Sequence, residues 1–132
     1  MKSSPTALGR LEIAVLDRLW YAGQSDVSSM HEAVGVPRGL VRNTIQSTLE
    51  RLVRKGLAER SKAGRAYAYR ARVTRAQWLS AALAELTRRI PGVDPPLLMS
   101  SFVEFAERAG NDTLEELELL VRRRRLEIES EA

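Results

Sequence analysis

The chain has 132 residues, of which 44% are hydrophobic and 29% charged, with a net charge of +4; these values fit one domain, or a small domain with an oligomerisation segment, and argue against extensive disorder. The absence of cysteine excludes disulfides, thiolate metal sites and thiol catalysis. No apolar run approaches the roughly 18 residues of a membrane span, and the polar Met1–Thr6 segment has no apolar signal core, so we expect a cytoplasmic protein without membrane insertion.

Two helices are predicted at the start of the chain. Apolar residues at helical spacing indicate a first helix over residues 8–21, which Gly23 ends. Trp20 belongs to its apolar stripe, so we expect it in the core. Asp26 can cap a second helix over residues 27–34.

A turn and a third helix follow. Residues 35–39 contain both Gly and Pro, which predicts the turn. The third helix covers residues 40–55 and is closed by Gly56. Its apolar positions share one face, which we expect to be buried. The opposite face carries Arg42, Asn43, Gln46, Ser47, Glu50, Arg51 and Arg54.

A β-hairpin is predicted next. Residues 57–61 and 66–70 resemble strands, and the charged segment 62–65 forms the loop between them. Tyr67 and Tyr69 are two positions apart in the second strand, so they lie on one face of the hairpin.

The rest of the chain is predicted to be helical. A capping box at Thr74–Gln77 opens a fourth helix, and the Pro-rich segment 91–96 ends it. A fifth helix covers residues 97–108. A second capping box at Thr113–Glu116 is expected to open a sixth helix, and the alternating charges of residues 122–132 are expected to fray.

This order of elements is typical of a winged helix-turn-helix, in which the third helix enters the major groove and the hairpin touches the DNA backbone or minor groove. We therefore predict a mainly α fold with a small β-hairpin. A winged-helix DNA-binding domain covers residues 1–73, and a helical dimerisation region covers residues 74–132.

The distribution of charge supports DNA as the partner. Residues 1–74 carry 13 Lys and Arg against 6 Asp and Glu, a net of +7, whereas residues 75–132 carry 8 against 11, a net of −3. An ordinary solvated surface could also give the net positive charge of residues 1–74. Residues 38–72, however, carry 10 basic residues and only two acidic ones, Glu50 and Glu59, which favours a polyanion as the binding partner. The predicted DNA contacts are Arg38, Arg42, Asn43, Thr44, Gln46, Ser47, Arg51, Lys62 and Arg65.

Catalysis and cofactor binding are not predicted. His31 is the only histidine, and without a carboxylate or cysteine cluster it makes a poor metal ligand. No nucleophile, phosphate-binding or dinucleotide motif occurs. We expect neither a catalytic residue, nor a metal, nor a cofactor.

The last three helices carry more apolar surface than one small winged domain can cover. A two-fold dimer is the commonest solution. The residues predicted to form that interface are Trp78, Leu79, Leu83, Leu86, Phe102, Leu117 and Leu120.

Several segments together resemble one known family, the penicillinase repressors of the BlaI/MecI/CopY group. The resemblance covers residues 8–72 and continues more faintly at 101–104 and 114–117. The segments that carry it are Leu8–Glu12 with Leu19–Trp20, Met30–Gly35, Thr44–Leu57 and Gly64–Arg70.

The resemblance implies a homodimer that represses genes from a palindromic operator. It also implies inactivation by proteolysis in the C-terminal region, triggered by a membrane sensor-protease or carried out by its downstream protease. The matching bond is Ser101–Phe102, where Asn often precedes the Phe in the family. The cysteine-rich tail of the copper-responsive members is absent. Two alternatives stay open: a winged-helix regulator of another group, with a ligand pocket between its halves, and a winged-helix module that binds proteins.

Overall fold

The computed structural model describes residues 8–132, apart from the side chain of Ala63; the Met1–Thr6 segment lies outside them. The predicted fold class is confirmed, since the described residues form six α-helices, a two-stranded antiparallel hairpin and two short turns of π- and 3-10 helix. They are α1 (Arg10–Ala22), α2 (Val27–Met30), α3 (Arg42–Arg54), β1 (Ala58–Ala63), β2 (Ala66–Ala71), α4 (Arg75–Arg89), α5 (Pro95–Ala109) and α6 (Asn111–Glu131).

The core of the winged region lies between α1, α3 and β2. One apolar face of each helix is buried, as the spacing predicts, and each fully buried Leu or Ile contributes about 1.5–3 kcal/mol. The buried Thr48 hydroxyl donates to the Thr44 carbonyl at 2.7 Å, so its burial leaves no unpaired donor. The most deeply buried side chains are Val15, Leu16, Leu19, Met30, Ile45, Thr48, Leu49, Leu52 and Tyr69.

The second helix of the helix-turn-helix is shorter than predicted and irregular at its end. After α2, a π-helical turn covers His31–Gly35 and a 3-10 turn covers Val36–Arg38. At the end of the π-helical turn the backbone of Gly35 lies close to the side chains of His31 and Ile45. A Cβ added to Gly35 would lie 2.6 Å from His31 Cδ2 and 2.9 Å from Ile45 Cγ1. The backbone of Gly35 can therefore lie directly against α3.

The hairpin is joined to the start of α2. Arg60 pairs with Tyr69, and Lys62 with Tyr67, across the two strands. Ser25 bridges to Tyr69 through two backbone hydrogen bonds of 2.9 and 2.8 Å. This bridge fixes the base of the hairpin to the helix-turn-helix.

The described chain divides into two units, the first ending at Leu86 and the second covering Thr87–Ala132. The capping box that opens α4 is present, with Thr74 and Gln77 bonded reciprocally at 2.9 and 3.0 Å. Among residues 8–132, no helix combines the length and apolarity needed to cross a bilayer.

Two expectations for the second unit are wrong. Helix α6 begins at Asn111, not at a capping box on Thr113, because Gly110 at φ +133° already makes the break. The segment after Arg122 does not fray: it stays helical to Glu131. The ion pairs Arg122–Glu118 and Arg124–Glu127 lie along this helix, and such pairs stabilise it by a few tenths of a kcal/mol each.

Candidate nucleic-acid interface

The outer face of α3 forms a shallow polar groove. The side chains that line it repeat at intervals of three and four residues, which places them on one face of a helix. They are Asn43, Gln46, Ser47, Glu50, Arg51 and Arg54. All except Glu50 are exposed, and together they offer amide, hydroxyl and guanidinium groups of the kinds that pair with base edges and phosphates.

The predicted contacts at the start of α3 are exposed to different degrees. Arg42 is the first residue of the helix and is exposed, whereas Thr44 is half-buried. Arg38 precedes the helix and donates from Nη1 to the Val34 carbonyl at 3.0 Å. This bond satisfies a carbonyl at the end of the π-helical turn and directs part of the Arg38 guanidinium towards its own chain.

Arg51 is shared between the groove and an ion pair. Its Nη1 lies 3.9 Å from Glu12, and its side chain is 48% exposed. The stronger partner of Glu12 is Lys55, at 2.7 Å, and both of these side chains are largely buried. Arg51 therefore keeps most of its donors for an external anion.

The hairpin presents cations beside α3. Lys62 and Arg65 are exposed near the hairpin turn, where Gly64 adopts φ +67°. Lys62 lies at the end of β1 rather than in the loop. Because side chains alternate along a strand, Lys62 shares its face with Arg60, two positions earlier.

A contact that sequence reasoning missed joins Glu50 to the hairpin. The Tyr69 hydroxyl donates to Glu50 Oε1 at 2.5 Å, and Arg60 Nη1 donates to the two carboxylate oxygens at 2.7 and 2.8 Å. The bond from Tyr69, with those from Arg60, holds the pKa of Glu50 below its ordinary value of 4.5 in spite of burial. Burial, with the bond to Glu50, raises the pKa of Tyr69 to about 12. The one feature of the sequence that pointed to this contact is the scarcity of acidic residues in 38–72, where Glu50 is surrounded by basic ones.

The residues predicted for a dimer interface fall into a half-buried group and an exposed group. Trp78 is half-buried within its own chain, with its ring 6.3 Å from that of Trp20, and Leu117 is half-buried. The remaining ones are exposed by 36–58% and are Leu79, Leu83, Leu86, Phe102 and Leu120.

The predicted cleavage bond lies inside a helix. Ser101 and Phe102 are in the middle of α5, and the Ser101 hydroxyl donates to the Leu97 carbonyl at 2.8 Å. Phe102 is 36% exposed. Since proteases bind extended chain, a cut here would require α5 to open locally.

Within residues 8–132, no group of three His, Cys, Asp or Glu side chains is arranged to hold a metal ion. His31 is half-buried, and its Nε2 lies 2.8 Å from the Leu40 carbonyl. This contact ties the π-helical turn after α2 to the turn that precedes α3 and gives His31 a structural role.

Comparison with known proteins places these features in context. A family model described as penicillinase repressor matches residues 8–123. The chain is 30% identical to the transcriptional regulator BlaI of Mycobacterium tuberculosis over 113 residues, which are 85% of this chain and 80% of that protein.

Solved structures share the fold. The DNA-binding domain of the repressor BlaI superposes with a TM-score of 0.50 at 24% identity, covering 57% of this chain and 90% of that one. The complex structure of hsRosR-S1 gives a TM-score of 0.50 at 19% identity, over 96% of this chain and 99% of that one.

Proposed function

The chain belongs to the penicillinase-repressor family of transcriptional repressors, whose members are not enzymes, and from this premise we propose that it acts as a homodimer on a palindromic operator. In this proposal α3 enters the major groove, where Arg42, Asn43, Gln46 and Ser47 contact bases or phosphates. Lys62 and Arg65 on the hairpin contact phosphates.

One observation carries the proposal: the exposed face of α3 and the adjacent face of the hairpin hold basic and amide side chains, and the acidic residue among them is neutralised. Glu50 is paired with Arg60, so it does not oppose a polyanion. Phosphate contacts from such cations would supply affinity, and the amide and guanidinium groups of α3 would supply base selection.

The second unit supports the homodimer. Among its described residues, only Ala106 is a buried hydrophobic, and large apolar side chains of α5 and α6 stand exposed, such as Phe105 at 67% and Leu126 at 67%. A pair of helices with so little core is unstable alone. A two-fold partner would cover these side chains and would present two α3 helices to two half-sites, which is why the operator should be palindromic.

The same family membership leads us to propose where the repressor is inactivated. A cut at Ser101–Phe102 would separate the second half of α5 and all of α6 from the DNA-binding part. The dimer would then loosen, and each half-site would be bound by one weakly held domain. Mass spectrometry of the protein from induced cells tests this: a fragment beginning at Phe102 supports it, and intact chain alongside full derepression contradicts it.

Selection of bound duplexes from random DNA tests the function itself. We expect the selected site to have two inverted half-sites, and binding to weaken steeply as salt is raised. A selected site without two-fold symmetry would contradict the homodimer. The absence of binding to any duplex would contradict the DNA-binding role.

A further inference from the structure

Glu50 places an acidic group on the surface proposed to meet DNA. It lies on the outer face of α3, one turn after Gln46 and Ser47, and lines the same groove. An unpaired carboxylate at this position would repel the phosphates of a bound duplex. The contacts of Glu50 indicate what the group does there.

Three hydrogen bonds hold the carboxylate against the hairpin. Tyr69 donates to Oε1 at 2.5 Å, and Arg60 donates to both oxygens at 2.7 and 2.8 Å. The Tyr69 side chain is only 1% exposed, so its hydroxyl is held in place by the core. The Arg60 guanidinium also lies 4.8 Å from the ring centre of Tyr67. Glu50 consequently links the middle of α3 to both strands of the hairpin.

We propose that Glu50 is a specificity-determining positioning residue, which holds the hairpin at a fixed angle to α3 and keeps Arg60 away from phosphates. This inference rests on the DNA-binding function proposed above. A guanidinium engaged by a carboxylate neutralises no phosphate, whereas a released one would add a phosphate contact on any sequence. The pair therefore lowers affinity for random DNA.

The operator complex depends on the same pair in a second way. Base selection by α3 requires the hairpin and helix to fit the duplex together, and a preorganised hairpin lowers the cost of that fit. Loss of the carboxylate would remove this benefit and would offset the gain from a released Arg60. The ratio of operator affinity to random-DNA affinity should therefore fall when Glu50 is neutralised.

A carboxylate on α3 could instead accept a hydrogen bond from the amino group of cytosine. Here both oxygens already accept hydrogen bonds, and the Glu50 side chain is only 26% exposed. The contacts favour the positioning role over base reading.

The substitution Glu50→Gln in the full chain tests the inference, because the amide keeps the shape of the side chain and removes its charge. Affinities for the selected operator and for a random duplex are measured over a range of salt concentrations. We expect the salt slope on random DNA to steepen by about 0.9 and the affinity to rise by about eightfold at 0.1 M salt, as one added phosphate contact predicts. The operator affinity should rise less.

Two matched variants separate positioning from a mere change of charge. Glu59→Gln makes the same change, but Glu59 pairs with Arg70 on the opposite face of the hairpin, so the affinity ratio should stay at its wild-type value. Adding Arg60→Gln to Glu50→Gln should return the salt slope to the wild-type value. An equal fall in the ratio for Glu59→Gln, or a slope that Arg60→Gln does not change, would overturn the inference.

Hydrogen exchange in the free protein gives a readout that needs no DNA. The Tyr69 amide, which donates to the Ser25 carbonyl, should exchange faster in Glu50→Gln than in the wild type, while the α1 amides stay unchanged. If Glu50→Gln binds DNA and its hairpin exchanges at the wild-type rate, this inference alone is overturned. The same holds if the site selected by Glu50→Gln differs from the wild-type site only by the loss of a cytosine preference, because Glu50 would then read a base. Failure of the wild type to bind any duplex would overturn the proposed function, and with it the effect on specificity.

Discussion

The indole rings of Trp20 and Trp78 pack against each other, with centroids 6.3 Å apart and planes inclined by 54°. Trp20 also donates from Nε1 to the Val73 carbonyl at 2.8 Å, and Arg75 pairs with Asp17 at 2.8 Å. These contacts bind the first turns of α4 to α1. The first unit therefore includes the start of α4.

Replacing Trp78 should destabilise this unit. We expect Trp78→Ala to lower the free energy of unfolding by about 2 kcal/mol, below the 3–5 kcal/mol of a fully buried Trp because the ring is only half-buried. Urea unfolding followed by far-ultraviolet circular dichroism measures the change. Ser80→Ala, exposed on the same helix, should change stability by less than about 0.5 kcal/mol; equal effects of the two substitutions would contradict the packing role.

Gly35→Ala should disturb the approach of the helix-turn-helix to α3. The new Cβ would lie 2.9 Å from Ile45 Cγ1, and overpacking of this kind costs about 1–3 kcal/mol. The midpoint temperature of thermal unfolding and the operator affinity should both fall. Gly9→Ala is the control, because its Cβ meets no atom closer than 3.8 Å. Wild-type stability of Gly35→Ala would show that Ile45 and His31 shift without cost.

Arg42 and the hairpin cations should contribute differently to DNA binding. We expect Arg42→Ala to weaken operator binding by ~1–3 kcal/mol while affecting random DNA less, because a base contact carries sequence information. Lys62→Ala or Arg65→Ala should weaken both duplexes alike and reduce the salt slope by about 0.9. The measurement is binding to both duplexes at several salt concentrations. Equal losses on both duplexes for Arg42→Ala would contradict base reading.

A charge placed on the exposed face of α6 should dissociate the proposed dimer. Leu120 is 58% exposed, and Leu120→Glu should shift the protein towards monomer in sedimentation equilibrium and weaken operator binding by about 10²-fold or more. Asn111→Glu adds the same charge at the start of α6 and should leave the dimer intact. A wild-type protein that is monomeric at micromolar concentration would refute the dimer.

Truncation gives a second test of the same interface. Because Trp78 packs on the winged unit, the chain should be cut after Leu86 and not before α4. The shortened protein should be a folded monomer that binds one half-site weakly. A dimer of the shortened protein would show that α5 and α6 are not needed for the interface.

The stability that Glu50 contributes should depend on pH. Its pKa is lowered in the folded protein, first by the bond from Tyr69, so the contribution is present above the ordinary value of 4.5 and is lost as pH falls through the lowered pKa. The difference in unfolding free energy between wild type and Glu50→Gln should therefore shrink between pH 6 and pH 3. Urea unfolding at each pH measures it, and Tyr69→Phe should reduce the dependence. A difference that is constant with pH would contradict the link.

The sequence by itself determined the order of the elements and the side of each helix that is buried. Apolar spacing in α1 and α3, the turn residues before and after α3, and the capping box at Thr74 act locally, and local patterns are visible in a single sequence. The concentration of basic residues over 38–72 likewise needed no coordinates, because charge is additive along the chain. The start of α6 was misjudged where two local signals competed and Gly110 prevailed.

The partners of individual side chains were decided only by the tertiary structure. Periodicity places Glu50 on the outer face of α3, but its engagement by Arg60 and Tyr69 depends on how the hairpin folds back across that face. Lys55 likewise contacts Glu12, 43 residues earlier in the sequence. Trp78, near the end of the first unit in sequence, contacts Trp20 in α1. Such contacts arise from the packing of separate elements, and a helical or strand period carries no information about which residue of another element will face it.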